Sequence, residues 1–234
     1  MLELIGVSKN FRDSDVITQA LQPIDLTVQL GEFISFIGPS GSGKTTLLNV
    51  LGLLETPCSG DYVFAGKNVS TLNDKEKSRL RNREIGYVFQ SFHLLPDFCV
   101  YDNIEMPLRY SKMHSNLRRK RVWGLLEQVG LSDFAKYKPS QLSGGQQQKA
   151  AIARALVTEP AVILADEPTG NLDLNSSAEV MALLTTLNQQ GTTILMATHN
   201  LDLAQQSKRV IEVRDGVIKE RCLVHYASRW GIEL

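Results

Sequence analysis

The segment GPSGSGKT, residues 38–45, constrains the fold more than any other part of the chain. It follows a short apolar run, residues 32–37, and comes directly before a helix-like stretch. The pattern G-x-x-x-x-G-K-T between a strand and a helix is typical of a P-loop, in which successive backbone N–H groups turn inward around a phosphate. The positive end of the helix adds to this attraction. A plain glycine turn is the alternative, and the complete motif in this context disfavours it.

The same segment supplies side chains for phosphate and metal chemistry. Lys44 would reach the β- and γ-phosphates of a nucleotide, and the Thr45 hydroxyl would bind Mg²⁺. We therefore expect a nucleoside triphosphate to bind here. The candidate phosphate-binding residues are Gly38, Pro39, Ser40, Gly41, Ser42, Gly43, Lys44, Thr45 and Thr46.

Short apolar runs recur along the chain and indicate a parallel sheet. After residues 32–37 come AVILAD, residues 161–166, and TTILMAT, residues 192–198. Near-continuous apolar runs of this length suit strands that are buried on both faces. Helical patterns alternate with them over residues 44–54, 145–158 and 176–188. This alternation predicts an α/β fold with a mainly parallel sheet and helices on both sides.

The segment from about residue 91 to 138 departs from this alternation. It carries Pro96 and Pro107, a cationic run at residues 118–121 and a helix-like stretch at residues 122–131. We expect a mostly helical subdomain here, inserted between strands of the core. The basic run is expected to be a solvated helix face, and a surface that docks a partner is the alternative.

Charge and cysteine content restrict the classes of function. The 25 Lys and Arg residues equal the 25 Asp and Glu residues, so the overall charge gives no reason to expect a nucleic acid or an anionic membrane as partner. Cys58, Cys99 and Cys222 lack the pair spacing of metal sites, and we interpret them as reduced cytosolic thiols. The N-terminus lacks the pattern of a signal peptide, and no apolar run approaches the roughly 18 to 20 residues of a membrane span. We therefore expect a soluble protein, or one that reaches a membrane only through a partner.

Two consecutive acidic residues stand at the end of the second apolar run, in LADEPTGNLD. Asp166 at the end of the expected strand could hold the magnesium shell. Glu167 could orient and deprotonate the attacking water, a general-base role that contributes roughly 10² to 10⁴ in rate. An exposed strand end with two acids is the alternative, and the complete P-loop disfavours it.

His199 ends the third apolar run. A lone histidine is more often structural than catalytic, and His93, His114 and His225 offer no further signal. His199 gains support because a third parallel strand should end at the edge of the sheet where ligands of such folds bind. There its imidazole could contact the γ-phosphate and the attacking water.

A second anion-binding feature lies in QLSGGQ, where Ser143, Gly144, Gly145 and Gln146 begin an alanine-rich helical pattern. One ATP needs only one phosphate cradle, so a second helix start gains a role if it serves the nucleotide of another copy. Two copies arranged head to tail would close two composite sites, and hydrolysis would remove the contact, which makes a nucleotide-driven switch. A glycine-containing helix cap is the alternative.

Five motifs occur in one order along the chain: GPSGSGKT, Gln90 in GYVFQ, LSGGQ, LADEP and His199. Together they resemble the ATP-binding subunit of ABC transporters, over nearly the whole chain. The resemblance implies ATP and Mg²⁺ as cofactors. It also implies a second copy of the chain and integral membrane permease subunits as partners, with no nucleic acid. The chain would then be cytoplasmic and peripheral, held at the inner face of the cell membrane through the permease.

The resemblance also implies a domain organisation. Residues 1–234 would form a single ABC ATP-binding domain with an antiparallel β part at its N-terminus. Residues 1–90 and 139–234 would form the nucleotide-binding core, and residues from about 91 to 138 would form the inserted helical subdomain.

Further site residues follow from the resemblance by position. Phe11 in VSKNF corresponds to the aromatic residue that stacks on adenine, where many relatives have tyrosine. Gln90 would touch magnesium and water and connect the core to the helical insert. The loop Asn171-Leu172-Asp173 would let each protomer sense the other's site. The implied catalytic residues are Glu167, His199, Lys44 and Gln90, and the implied metal ligands are Thr45, Gln90 and Asp166.

Three strings resemble the subfamily that serves lipoprotein release and macrolide-type efflux. They are residues 80–96, LRNREIGYVFQSFHLLP, residues 52–60, GLLETPCSG, and residues 168–173, PTGNLD. In that subfamily the permease has few spans and a large extracytoplasmic domain, and it works as a mechanical lever. The string FHLLP is apolar enough to be either core or a coupling surface.

Two residues of the chain differ from those that are frequent in the family. Lys149 stands where many relatives have arginine, which keeps the charge but loses the bidentate fork, and Asn200 stands where aspartate is frequent.

Two rival functions are open. An ABC-type ATPase that acts on DNA or ribosomes is one rival, which salt-sensitive binding to those partners would favour. A small-molecule P-loop kinase is the other, which acceptor-dependent phosphate transfer would favour.

Overall fold

The computed structural model describes residues 1–13, 16–111 and 113–221 of the chain. Cys222 and His225 lie outside the described residues, so their interpretations stay predictions. No helix within the described ranges is long and apolar enough to cross a membrane.

The chain divides into two compact units. The first unit comprises Met1–Leu72 and the chain from Leu195 onward, and the second unit comprises Asn73–Ile194. The described strands are β1 (Leu2–Asp13), β2 (Val16–Val28), β3 (Phe33–Ile37), β4 (Ser59–Phe64), β5 (Lys67–Asn68), β6 (Ile85–Val88), β7 (Val162–Asp166), β8 (Thr193–Thr198), β9 (Arg209–Arg214) and β10 (Val217–Arg221). The described helices are α1 (Lys44–Leu51), α2 (Asp74–Glu84), α3 (Val100–Arg109), α4 (Ser115–Gln128), α5 (Gly144–Leu156), α6 (Leu174–Gln189) and α7 (Leu201–Ala204), with 3-10 helices at Ser132–Phe134 and Pro139–Gln141.

The strands form two sheets. In the first unit, an antiparallel sheet has the order β2-β1-β4-β5, with Leu2 opposite Phe64 and Phe11 opposite Thr18. The other six strands belong to a mixed, mostly parallel sheet. Within the first unit β9 pairs parallel with β3 and antiparallel with β10, and within the second unit β6 pairs parallel with β7. The predicted α/β fold with an antiparallel N-terminal part is confirmed.

The three apolar runs form strands as predicted, within one residue at each end. Every residue of β3 and of β8 is buried, and β7 is buried up to the residue before Asp166. Two-sided burial explains why these runs lack the alternation of a half-exposed strand. The three predicted helices are observed as α1, α5 and α6.

A buried tyrosine joins helix α1 to the antiparallel sheet inside the first unit. The Tyr62 hydroxyl on β4 donates a hydrogen bond of 2.8 Å to the Leu51 carbonyl at the end of α1. Burial raises the pKa of Tyr62 far above its usual range. This contact holds the helix that follows the P-loop against its neighbouring sheet.

One buried hydrophobic cluster of the second unit is mainly helical. Its residues come from α3, α4, α5 and the segments around them: Val100, Ile104, Leu108, Val122, Leu126, Val129, Leu131, Ala135, Leu142, Ala150, Ala153 and Val157. The described residues between 91 and 138 include α3, α4 and the 3-10 helix Ser132–Phe134. The exact limits of a helical subdomain remain a prediction.

The basic run of α4 divides between solvent and ion pairs. Arg119 and Lys120 are exposed, as expected for a solvated face. Arg118 pairs with Glu105 at 3.3 Å, and Arg121 pairs with Glu159 at 2.9 Å. Two of the four cations therefore have carboxylate partners within the second unit.

Candidate functional site

The P-loop of the first unit connects the end of β3 to the start of α1. Gly43 is the residue before the helix and has a left-handed φ of 107°. A Cβ at this position would lie 2.6 Å from the Ala20 carbonyl oxygen on β2, and a Cβ at Gly38 would lie 2.1 Å from the Val213 carbonyl oxygen. Both glycines are required by close backbone approach, and Gly43 also by its φ, so the loop is packed tightly on its two sides.

The Lys44 side chain lies against the loop that precedes it. It is 7% exposed, and its ammonium donates hydrogen bonds of 2.8 Å to the carbonyls of Gly38 and Pro39. An ammonium has three N–H donors, so it can bind an anion while it contacts the loop. Thr45 at the second position of α1 is exposed. The loop thus presents a cation and a helix N-terminus together.

Phe11 lies on the strand that pairs with β2, the strand touched by the P-loop. Thr18, the register partner of Phe11, is two residues from Ala20, which is about 7 Å along a strand. The ring is 42% exposed, and the Lys9 ammonium lies 5.0 Å from its centre. The Phe11 ring therefore lies close enough to the phosphate loop for one nucleotide to contact both, within the first unit.

His199 follows β8 in the first unit and is exposed. The next residue, Asn200, caps α7: its side-chain oxygen accepts hydrogen bonds from the backbone N–H groups of Asp202 and Leu203, at 2.9 and 3.3 Å. Asparagine and aspartate are both good N-caps, so the departure at Asn200 preserves this local contact.

In the second unit, Asp166 ends β7 and Glu167 follows it, and both are half-buried. Burial first, and the Asp166 carboxylate second, raise the pKa of Tyr87 far above its usual range. Glu167 has a φ of 46°, in the left-handed region that few non-glycine residues adopt. Its carbonyl accepts a 3.0 Å hydrogen bond from the Gly170 N–H. A strained backbone of this kind is typical of functional sites.

Gln90 and Asn171 hold each other through their side chains. The Gln90 amide donates to the Asn171 side-chain oxygen at 3.3 Å, and the Asn171 amide donates to the Gln90 backbone carbonyl at 3.1 Å. A Cβ at Gly170 would lie 2.8 Å from the Gln90 amide nitrogen. The glycine therefore leaves the space in which Gln90 meets the loop that follows Glu167.

The segment SGGQ forms the predicted helix start. Ser143 and Gln146 make a capping box: the Ser143 hydroxyl accepts from the Gln146 N–H at 3.3 Å, and the Gln146 side chain accepts from the Ser143 N–H at 2.9 Å. A Cβ at Gly145 would lie 2.8 Å from the Ser176 hydroxyl, and one at Gly144 would lie 3.2 Å from the Leu172 side chain. The two glycines let the helix start pack closely against the beginning of α6.

The loop before α6 is itself fixed by a cap. Asp173 accepts hydrogen bonds from the backbone N–H of Ser176 at 2.9 Å and from its hydroxyl at 2.6 Å. These bonds lower the pKa of Asp173. The structure thus brings the segments 143–146 and 171–173 together within the second unit.

The sequence model of the family described as ABC transporter matches residues 21–170, which is more than half of the chain. The chain belongs to the ABC transporter family. The ABC cassette binds and hydrolyses ATP, in agreement with this membership and with its likeness to a post-hydrolysis structure.

Two curated relatives show how far this ABC cassette extends. It is 46% identical over 229 residues to the uncharacterized ABC transporter ATP-binding protein YvrO of Bacillus subtilis, covering 97% of this chain and 100% of that protein. It is 47% identical over 218 residues to the macrolide export ATP-binding/permease protein MacB 1 of Yersinia pestis bv. Antiqua, covering 93% of this chain. The cassette spans 34% of the length of that relative.

Two solved structures share the fold. The dimeric post-hydrolysis state of the ATP-binding cassette MJ0796, bound to ADP and Pi, superposes with a TM-score of 0.88 at 40% identity, over 95% of this chain and 99% of that one. CbiO1 from Clostridium perfringens, part of the ABC transporter complex CbiONQ, superposes with a TM-score of 0.82 at 32% identity, over 93% of this chain and 86% of that one.

Sequence reasoning missed two polar residues of this ABC cassette that make long-range contacts, both on α5. Arg154 donates hydrogen bonds to the carbonyls of Phe92 and His93, two consecutive residues with left-handed φ angles of 61° and 48°. Burial lowers the pKa of Arg154. Gln148 is completely buried. Their only sequence signal is a large polar residue within an alanine-rich helix.

The string FHLLP is neither wholly core nor wholly surface. Leu94 packs against the core of the second unit, whereas Leu95 is 40% exposed. The His93 ring packs at a tilt against the Phe89 ring, with ring centres 4.5 Å apart. The segment therefore has a packed side and an exposed side.

Proposed function

We propose that this cassette powers a membrane permease by binding and hydrolysing two ATP between two copies arranged head to tail. The observation that carries the proposal is the P-loop of the first unit, where Lys44 is buried among loop carbonyls and the loop touches the strand opposite Phe11. This arrangement supports phosphate binding at residues 38–46 and adenine stacking on Phe11. The cation and the helix N-terminus supply the attraction for the phosphates.

The proposed metal ligands are Thr45, Gln90 and Asp166. They offer hydroxyl, amide and carboxylate oxygens, which are the hard donors that Mg²⁺ prefers, so this set fits the ion. Bound Mg²⁺ would neutralise charge on the β- and γ-phosphates. Gln90 is supported in this role because Asn171 fixes its side chain.

Glu167 is the proposed general base. Its carboxylate would orient the attacking water and accept the water's proton, while the Lys44 ammonium offsets the charge of the phosphates. His199, which is exposed after β8, would contact the γ-phosphate. The left-handed backbone conformation of Glu167 supports this role, because the loop then determines the direction in which the side chain points.

The proposed dimer places segment 143–146 of each copy against the nucleotide held by the other. Ser143 is exposed at the N-terminus of α5, a helix of 13 residues whose first N–H groups can bind an anion. The dimeric structures of MJ0796 support this arrangement. Loop 171–173 packs behind the segment, so it is positioned to respond when the segment binds.

We further propose that the permease has few spans and a large extracytoplasmic domain, as in lipoprotein release or macrolide export. The 47% identity to an ATP-binding/permease protein named for macrolide export supports this class over a DNA- or ribosome-directed ATPase. The cassette would then be peripheral at the cytoplasmic face of the membrane. Helices α3 and α4 support the proposed helical subdomain of residues 91–138 within a single domain, whose core would be residues 1–90 and 139–234.

A pull-down from detergent-solubilised membranes tests the proposal. Tagged Glu167→Gln protein is cross-linked with ATP present, and the captured proteins are identified by mass spectrometry. We expect a permease with few spans and a large extracytoplasmic domain. Glu159→Gln is a matched control, because Glu159 lies in the same unit and also has a left-handed φ, of 54°. Recovery of ribosomal or DNA-associated proteins without a membrane protein would overturn the assignment to transport.

A further inference from the structure

Gln148 is a buried amide that faces two backbone carbonyls. Its exposed fraction is 0%, and its side-chain nitrogen lies 2.6 Å from the Pro168 carbonyl oxygen and 3.5 Å from the Phe89 carbonyl oxygen. An amide nitrogen has two N–H donors. One side chain on α5 can therefore contact the backbone after β6 and the backbone after β7.

These two carbonyls flank two residues of the proposed site. Phe89 directly precedes Gln90, and Pro168 directly follows Glu167. Pro168 is itself buried, and it lies within the turn that is closed by the hydrogen bond from the Gly170 N–H to the Glu167 carbonyl. Gln148 therefore fixes the peptide units beside both the proposed water-contacting amide and the proposed base.

The acceptor end of the same side chain makes no hydrogen bond within the described residues, although it is buried. A buried acceptor without a partner lowers stability, and an apolar side chain of the same length would avoid that cost. The amide is therefore poorly explained as a packing residue. Its donor end, which holds Pro168, gives the better account.

We propose that Gln148 is a positioning residue for ATP hydrolysis, which holds the backbones beside Glu167 and Gln90 in the geometry that activates the attacking water. The proposal rests on the proposed role of Glu167. Because α5 begins at Gly144, Gln148 also lies about one turn from the segment that is proposed to meet the partner's nucleotide. The same rigid helix thus connects the dimer contact to the water-activating loop.

Gln148→Met tests this in the full chain, since methionine keeps the length and the helix propensity but removes both donors. We expect kcat to fall by about 10- to 100-fold, the size of effect that a misplacement of about 1 Å produces, while the Kd for ATP changes by less than about twofold. Gln148→Asn is the second variant. It keeps an amide but is too short to reach Pro168, and the same loss of kcat is expected.

Asn188→Leu is the matched control. Asn188 is another buried amide of the second unit, 7% exposed, which donates a 2.9 Å hydrogen bond to the Thr192 carbonyl. Its replacement should lower the Tm but leave kcat unchanged. If either Gln148 variant is folded, as judged by its melting curve, and keeps the wild-type kcat, the proposal is overturned. Failure of both variants to fold, while Asn188→Leu folds, would also overturn it in favour of a purely structural role.

A double substitution separates this proposal from the one on which it rests. In a Glu167→Gln background, Gln148→Met should reduce single-turnover hydrolysis by a smaller factor than in the wild-type background, because the base that it positions is already absent and only its effect beside Gln90 remains. If Gln148→Met lowers the hydrolysis rate by the same factor in the wild-type and the Glu167→Gln backgrounds, positioning through Glu167 is contradicted. Wild-type turnover by Glu167→Gln alone would instead refute the role of Glu167.

Discussion

The ammonium group of Lys9 lies 5.0 Å from the centre of the Phe11 ring. Lys9 is held there by a 2.6 Å ion pair with Glu55 and by a 2.9 Å hydrogen bond that it donates to the Thr56 carbonyl. The ring is thus held against a fixed cation while 42% of Phe11 remains exposed. A ring that is already ordered loses little entropy when a base stacks on it, which favours binding.

Phe11→Ala is expected to raise the Kd for ATP by about 5- to 150-fold, because stacking of a base on an aromatic ring contributes roughly 1–3 kcal/mol. Phe11→Tyr keeps the ring face and should bind ATP as tightly as the wild type. Isothermal titration calorimetry measures both constants. An unchanged Kd in Phe11→Ala would contradict adenine stacking at this position.

Lys44→Ala should also weaken ATP binding, by about 10-fold or more, because a hydrogen bond to a charged group contributes roughly 1.5–3 kcal/mol. The same titration measures the loss. Lys208→Ala is the control, since Lys208 is an exposed lysine of the same unit whose replacement should leave the Kd unchanged. Equal Kd values for Lys44→Ala and the wild type would remove Lys44 from phosphate binding.

The features that sequence predicted well are those encoded over a few residues. The strand before Gly38 and the helix after Gly43 follow from local apolar patterning and from a complete loop motif. The start of α5 follows from a serine and two glycines before an alanine-rich stretch. Short-range rules suffice here because helix caps and phosphate loops are formed by adjacent residues.

The contacts that sequence missed join residues far apart in the chain. Gln148 reaches Phe89, 59 residues away, and Arg154 reaches Phe92, 62 residues away. The residues next to Gln148 and Arg154 in the sequence do not indicate either contact. The left-handed backbone of Glu167 is equally hidden, since that conformation is usual only for glycine and, less often, asparagine or aspartate. Such features depend on tertiary packing.

Glu167→Gln is expected to keep ATP binding and to slow hydrolysis by about 10²- to 10⁴-fold, because it removes the proposed base. Steady-state phosphate release measures the rate, and titration calorimetry measures binding. Glu159→Gln should hydrolyse ATP at the wild-type rate. If Glu167→Gln turns over normally, another group activates the water.

Tyr62→Phe should lower the free energy of unfolding at pH 7 by about 0.5–1.5 kcal/mol, the contribution of one buried hydrogen bond. Burial raises the pKa of Tyr62 in the folded state, so only the unfolded chain ionises it as the pH rises above about 10. Tyr62 therefore contributes less stability above that pH, and the difference in unfolding free energy between the wild type and Tyr62→Phe should narrow. Urea denaturation at pH 7 and pH 10.5 measures this difference.

The control for that comparison is Tyr110→Phe. Tyr110 is 78% exposed, so the substitution should leave the unfolding free energy unchanged at pH 7. If the difference in unfolding free energy between the wild type and Tyr62→Phe stays constant or widens above pH 10, the Tyr62 hydroxyl ionises at least as easily in the folded state as in the unfolded one.

Ser143→Ala should weaken the ATP-dependent dimer more than ATP binding to one protomer, because the residue is proposed to act on the partner's nucleotide. Size-exclusion chromatography with ATP, in a Glu167→Gln background, measures the dimer. The substitution also removes a helix cap, which costs about 1 kcal/mol of stability.

Asn73→Ala controls for that cost, since Asn73 and Glu76 form the same kind of capping box at the start of α2. The dimer should survive Asn73→Ala, and equal loss in both variants would assign the effect of Ser143→Ala to stability alone. Equal losses of protomer binding and of dimer in Ser143→Ala would exclude action on the partner's site.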